Sequence, residues 1–304
     1  HARLGGTRMT ARPMGLVRDM PFADYLAVDA LSSTGMKLLD KSPWHYKNTP
    51  PMEQTRPMLR GSLAHCAQLE PDALATRYLI VPEYAPRRPT AAQWSAKAPS
   101  PSSKAAMDWW RDFNAQAFGR DIVSADDYSI TQQQLAAIKA EPYLSELFSH
   151  GDAECSVFWV DKRTGVYCKA RPDFMQPVGS DCVRVAELKT TADESPDGFS
   201  RVLTNLGYHR ARAHYVDGVQ QATGKRVIEY VFAVVTSAEP VLAVPYWLDD
   251  EDAQQGEDEC AELRDRFAQC QRTGAWPAYG SGPQIVGLKK WAKRSSELEV
   301  SYVD

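Results

Sequence analysis

The 304-residue sequence contains no apolar run approaching the roughly 20 residues needed to cross a bilayer. It also lacks the basic start and apolar stretch of about 7–15 residues that mark a secretory signal. These two absences set the expectation of a cytoplasmic protein with no membrane partner. The six cysteines, at 66, 155, 168, 182, 260 and 270, include no CxxC pair. The usual zinc and iron–sulfur spacings are therefore excluded, and reduced thiols are expected in a chain long enough to bury a proper core. There is no internal repeat. There is also no excess of positive charge: the formal net charge is −4. That does not exclude a nucleic-acid partner, because a polyanion meets the local field and not the sum.

Charge of each sign is bunched. Acidic residues collect at Asp249–Asp252 and Glu257–Glu259, basic ones at Arg201–Arg212 and at Lys289, Lys290, Lys293 and Arg294. Such segregation could present one basic face to phosphate. Hydrophobic residues make up 43% and charged residues 24%, ordinary values for a globular chain. Residues 1–8 read as a tag remnant ahead of Met9. Residues 9–304 read as one domain, with a helical part over about 25–150, a sheet core over about 151–248 and a helical extension over about 249–304.

Leu31 is followed by Ser32, Ser33 and Thr34, good helix caps, and a helical pattern to Leu39. Pro43 interrupts it and Trp44-His45-Tyr46 opens another short helix. Pro57 suits the start of a helix to about Leu69, with Leu59, Leu63 and Cys66 as its apolar stripe and His65 on the flank. The Pro/Ala/Ser-rich stretch 82–106 reads as a long surface excursion. Helical patterns follow at about 104–117, 130–140 and 142–149.

The composition then changes. Segments 153–160, 165–174 and 182–190 are rich in β-branched and aromatic residues, and Asp161–Gly165 is a natural turn between the first two. Three successive strands are expected, the first pair antiparallel. Helices are expected at about 196–204 and 206–222, strands at about 226–236 and 240–247, and a polar helix at about 250–272. The order gives an α/β fold with a central mixed sheet flanked by helices.

Two of these strands place charge where strand interiors avoid it. Val183, Val185, Glu187 and Lys189 share one face by alternation, so Glu187 and Lys189 point the same way, about 6–7 Å apart along the strand. Pro172 removes a ladder donor just before Asp173, so Asp173 is expected where the ladder opens. Two carboxylates on adjoining strand ends with a lysine beside one of them make a hard oxygen site for a divalent cation. The plain alternative is an exposed strand end with a surface ion pair of little energetic weight.

Pro172-Asp173, thirteen residues, then Glu187-Leu188-Lys189 resembles the signature of the PD-(D/E)xK nucleases. Gly61-Ser62-Leu63-Ala64-His65 resembles the helical histidine motif of the RecB-like branch. Tyr208–Gly218 resembles the helical motif that follows the catalytic strands there. Leu31–Gly35 with Ser42–Tyr46 resembles the start of the RecE/lambda-type recombination exonucleases. The resemblance covers about residues 25–280 and implies a restriction-endonuclease-like core.

It further implies Asp173, Glu187 and Lys189 as catalytic residues. Mg²⁺, with Mn²⁺ as a substitute, would be held by His65, Asp173, Glu187 and the Leu188 carbonyl, with Glu154 contributing through the metal's water shell. Ser33, Thr34, Lys37, Arg171, Tyr208, Arg212 and Tyr215 are candidate DNA contacts, with Lys169 beside Arg171 another. Helix capping is the plain alternative for Ser33, Thr34 and Lys37, core packing for Tyr208 and Tyr215, and packing is expected of Trp276 and Tyr279. One departure is plain: the helical motif usually carries glutamine where this chain has Ala211, a contact that Arg210 or Arg212 could replace. The implied activity is processive 5′-to-3′ degradation of linear duplex DNA, leaving 3′ tails for recombination. The implied partners are duplex ends, two or three further copies of the chain in a ring (a trimer or tetramer), and a single-strand annealing protein. An endonuclease of the same fold and a catalytically silent DNA-binding module are the competing readings.

Overall fold

The computed structural model describes residues 12–280 and 282–287; the tag-like residues 1–8 and the basic cluster at 289–294 lie outside them. The chain begins with β1 (Gly15–Val17), α1 (Phe22–Ala27), α2 (Ser33–Lys41), α3 (Pro43–Asn48) and α4 (Arg56–Leu69). There follow α5 (Leu74–Arg77), β2 (Tyr78–Ile80), α6 (Ala91–Trp94), α7 (Pro101–Ala115), β3 (Asp121–Val123), α8 (Ala125–Ala140) and α9 (Pro142–Leu147). The sheet region holds β4 (Asp152–Ala153), β5 (Ser156–Val160), β6 (Tyr167–Ala170), β7 (Phe174–Val178) and β8 (Cys182–Thr191). Then come α10 (Pro196–Leu206), α11 (Tyr208–Thr223), β9 (Arg226–Thr236), β10 (Ala243–Tyr246) and α12 (Asp250–Thr273). No helix among the described residues is long and apolar enough to cross a membrane.

The helix starts follow the hydroxyl residues. Ser32, Ser42 and Thr55 accept from the backbone N–H groups of Gly35, His45 and Met58, satisfying donors that the first turns of α2, α3 and α4 leave open. Pro43 and Pro57 fall in first turns, where no N–H is needed.

The main sheet is mixed and five-stranded, in the order β10-β9-β8-β7-β4, with β8 and β9 parallel and the other neighbours antiparallel. A second, three-stranded sheet has the order β1-β5-β6, and β2 pairs with β3 in parallel. The 165–174 segment is therefore not one strand. It is β6 in the small sheet, a break at Arg171–Asp173, and β7 in the large one. The expected turn Asp161–Gly165 does join an antiparallel pair, β5 and β6, but the strand pair that carries Asp173 and Glu187 is β7–β8. The partner strand breaks at the same level. β4 pairs with β7 and β5 with β6, so Glu154 and Cys155 form the matching gap. Two strands of one bent hairpin thus change sheets side by side.

Both faces of the main sheet are covered. Val183, Val185, Tyr230, Phe232 and Val234 face α11 and α12, while Ala186, Leu188, Val231, Ala233 and Val235 face α8 and α9. Burial on both faces explains the nearly unbroken apolar run of β9. On the first face α11 lies so close to β5 that a Cβ on Gly218 would sit 2.5 Å from the ring of Trp159, which is 2% exposed. Gly218→Ala is therefore expected to destabilise the fold by about 1–3 kcal/mol, although alanine is the better helix former. Urea unfolding monitored by circular dichroism checks this; an unchanged or raised midpoint would contradict it.

The Ala/Ser/Pro stretch 82–106 lies largely at the surface, as expected, but carries capped helical turns. Thr90 and Gln93 make a reciprocal cap on α6, Ser100 caps α7, and Trp110 of α7 donates its indole N–H to the Pro86 carbonyl at 2.9 Å. The Arg88 guanidinium lies 4.9 Å from the same indole ring. One buried tryptophan fastens the segment to its own following helix.

Candidate active site

The two gaps in the bent hairpin put Glu154 and Asp173 next to each other. The Glu154 amide donates to the Asp173 carbonyl at 2.9 Å, one residue beyond the Ala153↔Phe174 pair. Glu154 adopts φ +50°, the left-handed region that non-glycine residues seldom occupy. The register Phe174↔Ala186, continued by one residue, places Asp173 opposite Glu187. From above, α4 lies across β8 and brings His65 down, with Nδ1 3.5 Å from Asp173 Oδ2. His65, Glu154 and Asp173 each offer a ligand atom, and those atoms lie within 4.8 Å of one another.

Beside this trio, Lys189 Nζ donates to Glu187 Oε1 at 2.7 Å, as the shared strand face requires. The Leu188 amide between them donates to Asp173 Oδ2 at 2.7 Å. Glu187 and Asp173 are 6% and 7% exposed, which rules out the solvent-washed surface pair. Glu187 Oε2 is buried without a hydrogen-bond partner, a costly state that a cation would relieve. Tyr208 places its ring 5.2 Å from Lys189 Nζ. It is aimed there by the corner at Gly207, φ +68°, which ends α10 and starts α11 in one residue.

Burial pushes the Asp173 carboxyl up to about 7, a rise that Lys189 opposes and Glu154 reinforces. Burial and the neighbouring Asp173 push Glu187 up to about 7 as well. For Lys189 burial works against the charge, but Glu187 and Asp173 outweigh it and the pKa rises. Burial, helped by Lys189, lowers His65, which favours the neutral ring that a metal needs. In the unfolded chain the same carboxyls ionise near 4. Between about 4 and 7 the folded chain therefore holds protons that the unfolded chain has shed, so its stability falls as pH rises through that window. We expect the melting temperature in EDTA to drop between pH 5 and pH 8, and Mg²⁺ or Mn²⁺ to restore it at pH 8. Scanning calorimetry checks this; a metal-free melting temperature that rises over the window would contradict it.

A groove of about 1030 Å³ runs past the trio, lined by α1, the start of α2, α4 and the Arg77–Tyr78 segment. A smaller pocket of about 310 Å³ lies on the other side of Glu187 and Lys189, beneath Lys37, Tyr208, Arg210 and Ala211. Ser33, Thr34 and Tyr215 line both. Lys37 reaches the smaller pocket, with its pKa lowered by burial and by Lys41 and Arg210. Tyr208 and Tyr215 also pack on the core, so for these two the packing and lining roles coexist.

The remaining basic candidates are tied to partners within the protein. Arg171 is 9% exposed, and its guanidinium donates to Glu154 Oε2 at 2.7 Å and to Met20 O and Ser156 Oγ at 2.9 Å each. Lys169, 6% exposed, donates to the carbonyls of Tyr25, Leu26 and Val28. Lys169 has no donor to spare for DNA backbone, while Arg171 commits Nε and Nη1 to the protein, and both residues line the groove. Arg212 turns to Glu257 of α12, and Arg210, though it lines the smaller pocket, is held by Glu259 and Asp40. Trp276 stacks on Tyr46, whereas Tyr279 is largely exposed beside His45. The sequence reading missed α1 altogether: Phe22 and Leu26, more than half exposed, form a wall of the groove.

The donor set suits a divalent cation. It has one imidazole, two carboxylates with a third close by, and an orphaned buried oxygen on that third. No curated protein matches this sequence. In structure the chain is similar to a candidate exonuclease from Eubacterium rectale, with a TM-score of 0.51 at 12% identity over 85% of this chain and 88% of that one. At that identity the likeness is one of fold. A further solved structure, SSO0001, aligns over 67% of this chain and 85% of that one at 12% identity, but its TM-score of 0.24 carries no argument. Residues 32–285 match the family described as the PDDEXK-like domain of unknown function, DUF3799, and the chain belongs to that family.

Proposed function

We propose that the chain is a divalent-cation-dependent deoxyribonuclease that degrades linear duplex DNA from its 5′ ends, with Mg²⁺ as its natural ion and Mn²⁺ as a substitute. The observation that carries this reading is the seam between the two sheets, where His65, Glu154 and Asp173 come within 4.8 Å of one another beside the buried Glu187–Lys189 pair. His65, Glu154 and Asp173 would hold the ion, with Glu187 and the Leu188 carbonyl at its flank. A bound Mg²⁺ would neutralise the scissile phosphate and make a water molecule acidic enough to attack at neutral pH. Phosphodiester hydrolysis is slow enough to need on the order of 20 kcal/mol of help, so positioning by the chain matters as well. Lys189, fixed by Glu187 and the Tyr208 ring, carries a positive charge to the place where negative charge grows on the phosphate. The groove past Ser33 and Thr34 gives the strand a path to the trio.

The direction of cutting, the ring of three or four copies and the annealing partner rest on the likeness of the Leu31–Gly35, His65 and Tyr208–Gly218 motifs to recombination exonucleases. The test is a digest of matched linear and covalently closed circular duplexes with Mg²⁺, Mn²⁺ or EDTA. We expect mononucleotides from the 5′-labelled linear DNA only when a divalent cation is present. Rapid cutting of the closed circle would replace the exonuclease reading by an endonuclease one. Inertness towards both substrates with every cation would leave a silent binding module. A sedimentation mass of one chain would remove the ring.

A further inference from the structure

Arg171 is buried and close to the seam, and its Nε and Nη1 groups donate inside the protein. One edge of its guanidinium grips Glu154 Oε2, which leaves the other carboxylate oxygen of Glu154 for a cation. The opposite side holds the Met20 carbonyl, at the entry to α1, while the guanidinium carbon lies 5.8 and 5.9 Å from the ring centroids of Phe22 and Tyr25. Two residues earlier, on β6, Lys169 donates to the carbonyls of Tyr25, Leu26 and Val28 at the end of α1, with its Nζ 4.8 Å from the Tyr25 ring.

Six-residue α1 is far below the length at which a helix stands alone, and no side chain caps its N-terminus. Alongside the packing of Tyr25 on Phe158 and Tyr167, these two buried cations tie it down. Glu154 depends on one of them too. Its φ of +50° costs about 1–2 kcal/mol, so some neighbour must hold it there, and Arg171 makes the short charged contact.

We propose that Arg171 is a positioning residue that aims Glu154 at the cation and ties the α1 wall of the groove to the same carboxylate, so that cation binding and the order of α1 reinforce each other. The inference rests on the seam being a cation site. Its physics is linkage: Glu154 held by Arg171 binds the ion better, and an ion on Glu154 fixes Arg171 under Met20 and α1, so each event strengthens the other by the same factor. The groove wall that carries Phe22 and Leu26 would then be firm when the site is loaded. Loss of a group that orients a metal ligand costs about 10–100-fold in affinity.

The test uses the full chain without DNA and Mn²⁺ as the probe. Titration calorimetry is run on the wild type, Arg171→Met, Arg171→Lys, Glu154→Gln and the Arg171→Met/Glu154→Gln pair, and amide exchange is followed over residues 22–28 with and without the ion. We expect Arg171→Met and Glu154→Gln each to weaken Mn²⁺ binding about 10-fold or more, and the pair to be no worse than the larger single loss. Arg171→Lys, which keeps charge but cannot span both contacts, should fall between. Mn²⁺ should slow exchange over 22–28 in the wild type and not in Glu154→Gln. A purely structural arginine would lower the melting temperature and leave Mn²⁺ affinity alone. That result, additive losses in the pair, or exchange in α1 indifferent to Mn²⁺ would overturn the proposal. If Arg171→Met fails to fold, Arg171→Lys and Glu154→Gln decide between the two roles. A wild type that binds no Mn²⁺ at all would sink the nuclease reading itself.

Discussion

Asp173→Asn is expected to lower DNA hydrolysis by about 10³-fold or more while raising the metal-free melting temperature at pH 8 by roughly 2–5 °C. Both effects have one cause. Asp173 is a buried carboxyl whose ionisation the fold resists, with burial pushing it up to about 7. Asparagine keeps an oxygen to accept from the Leu188 amide and removes the charge. It therefore relieves the metal-free fold and at the same time takes a charged ligand from the cation. Steady-state hydrolysis and calorimetry on the same preparation check the pair of effects. A variant that is both inactive and less stable would mean that Asp173 serves mainly as a structural acceptor.

Lys189→Met is expected to lower turnover about 10²–10³-fold, with Mn²⁺ affinity within a few-fold of the wild type. Lys189 offers an ammonium and cannot ligate a cation, so its loss should appear in turnover and not in metal binding. Glu187 would lose its 2.7 Å partner, and part of the cost would be a buried carboxylate left with no cation beside it. Turnover at saturating Mn²⁺, set beside calorimetric Mn²⁺ binding, separates the two roles. Undiminished turnover would exclude Lys189 from the chemistry.

The chemistry-bearing strand was the most legible part of the sequence. Val183, Val185, Glu187 and Lys189 alternate cleanly, and β8 holds Glu187 and Lys189 on one face, paired at 2.7 Å. Pro172 correctly marked the opening in the ladder at Asp173. The nature of that opening was not legible. Residues 166–174 mix apolar and charged side chains around a single proline, and nothing local distinguishes a kink from a change of sheet. β7, with Gln176 and Pro177 in a run of five, reads as poor strand. It is held in place by long-range contacts, the Gln176 amide donating to the Glu146 carbonyl at 3.0 Å.

The buried partners of Arg171 and Lys169 mark a second blind spot. Basic residues beside a catalytic aspartate read as DNA-facing when nothing is known to cover them. What packs over them is α1, too short for periodicity to detect and tied to the two cations themselves. Glu154 was expected only in the metal's water shell for a related reason: its place in the trio goes with a left-handed backbone angle that its sequence does not announce. Local pattern reaches residues whose partners lie on the same strand, and misses those whose partners arrive through tertiary structure.

Every functional statement above depends on the break between two sheets building a cation site from residues far apart in the chain. The decisive measurement is diffraction from Mn²⁺-soaked crystals, recorded at a wavelength where manganese scatters anomalously. A peak is expected within coordination distance of Asp173 and His65, with Glu154 and Glu187 beside it. Ordered side chains with no peak there, or a peak bound elsewhere while the seam holds only water, would contradict it.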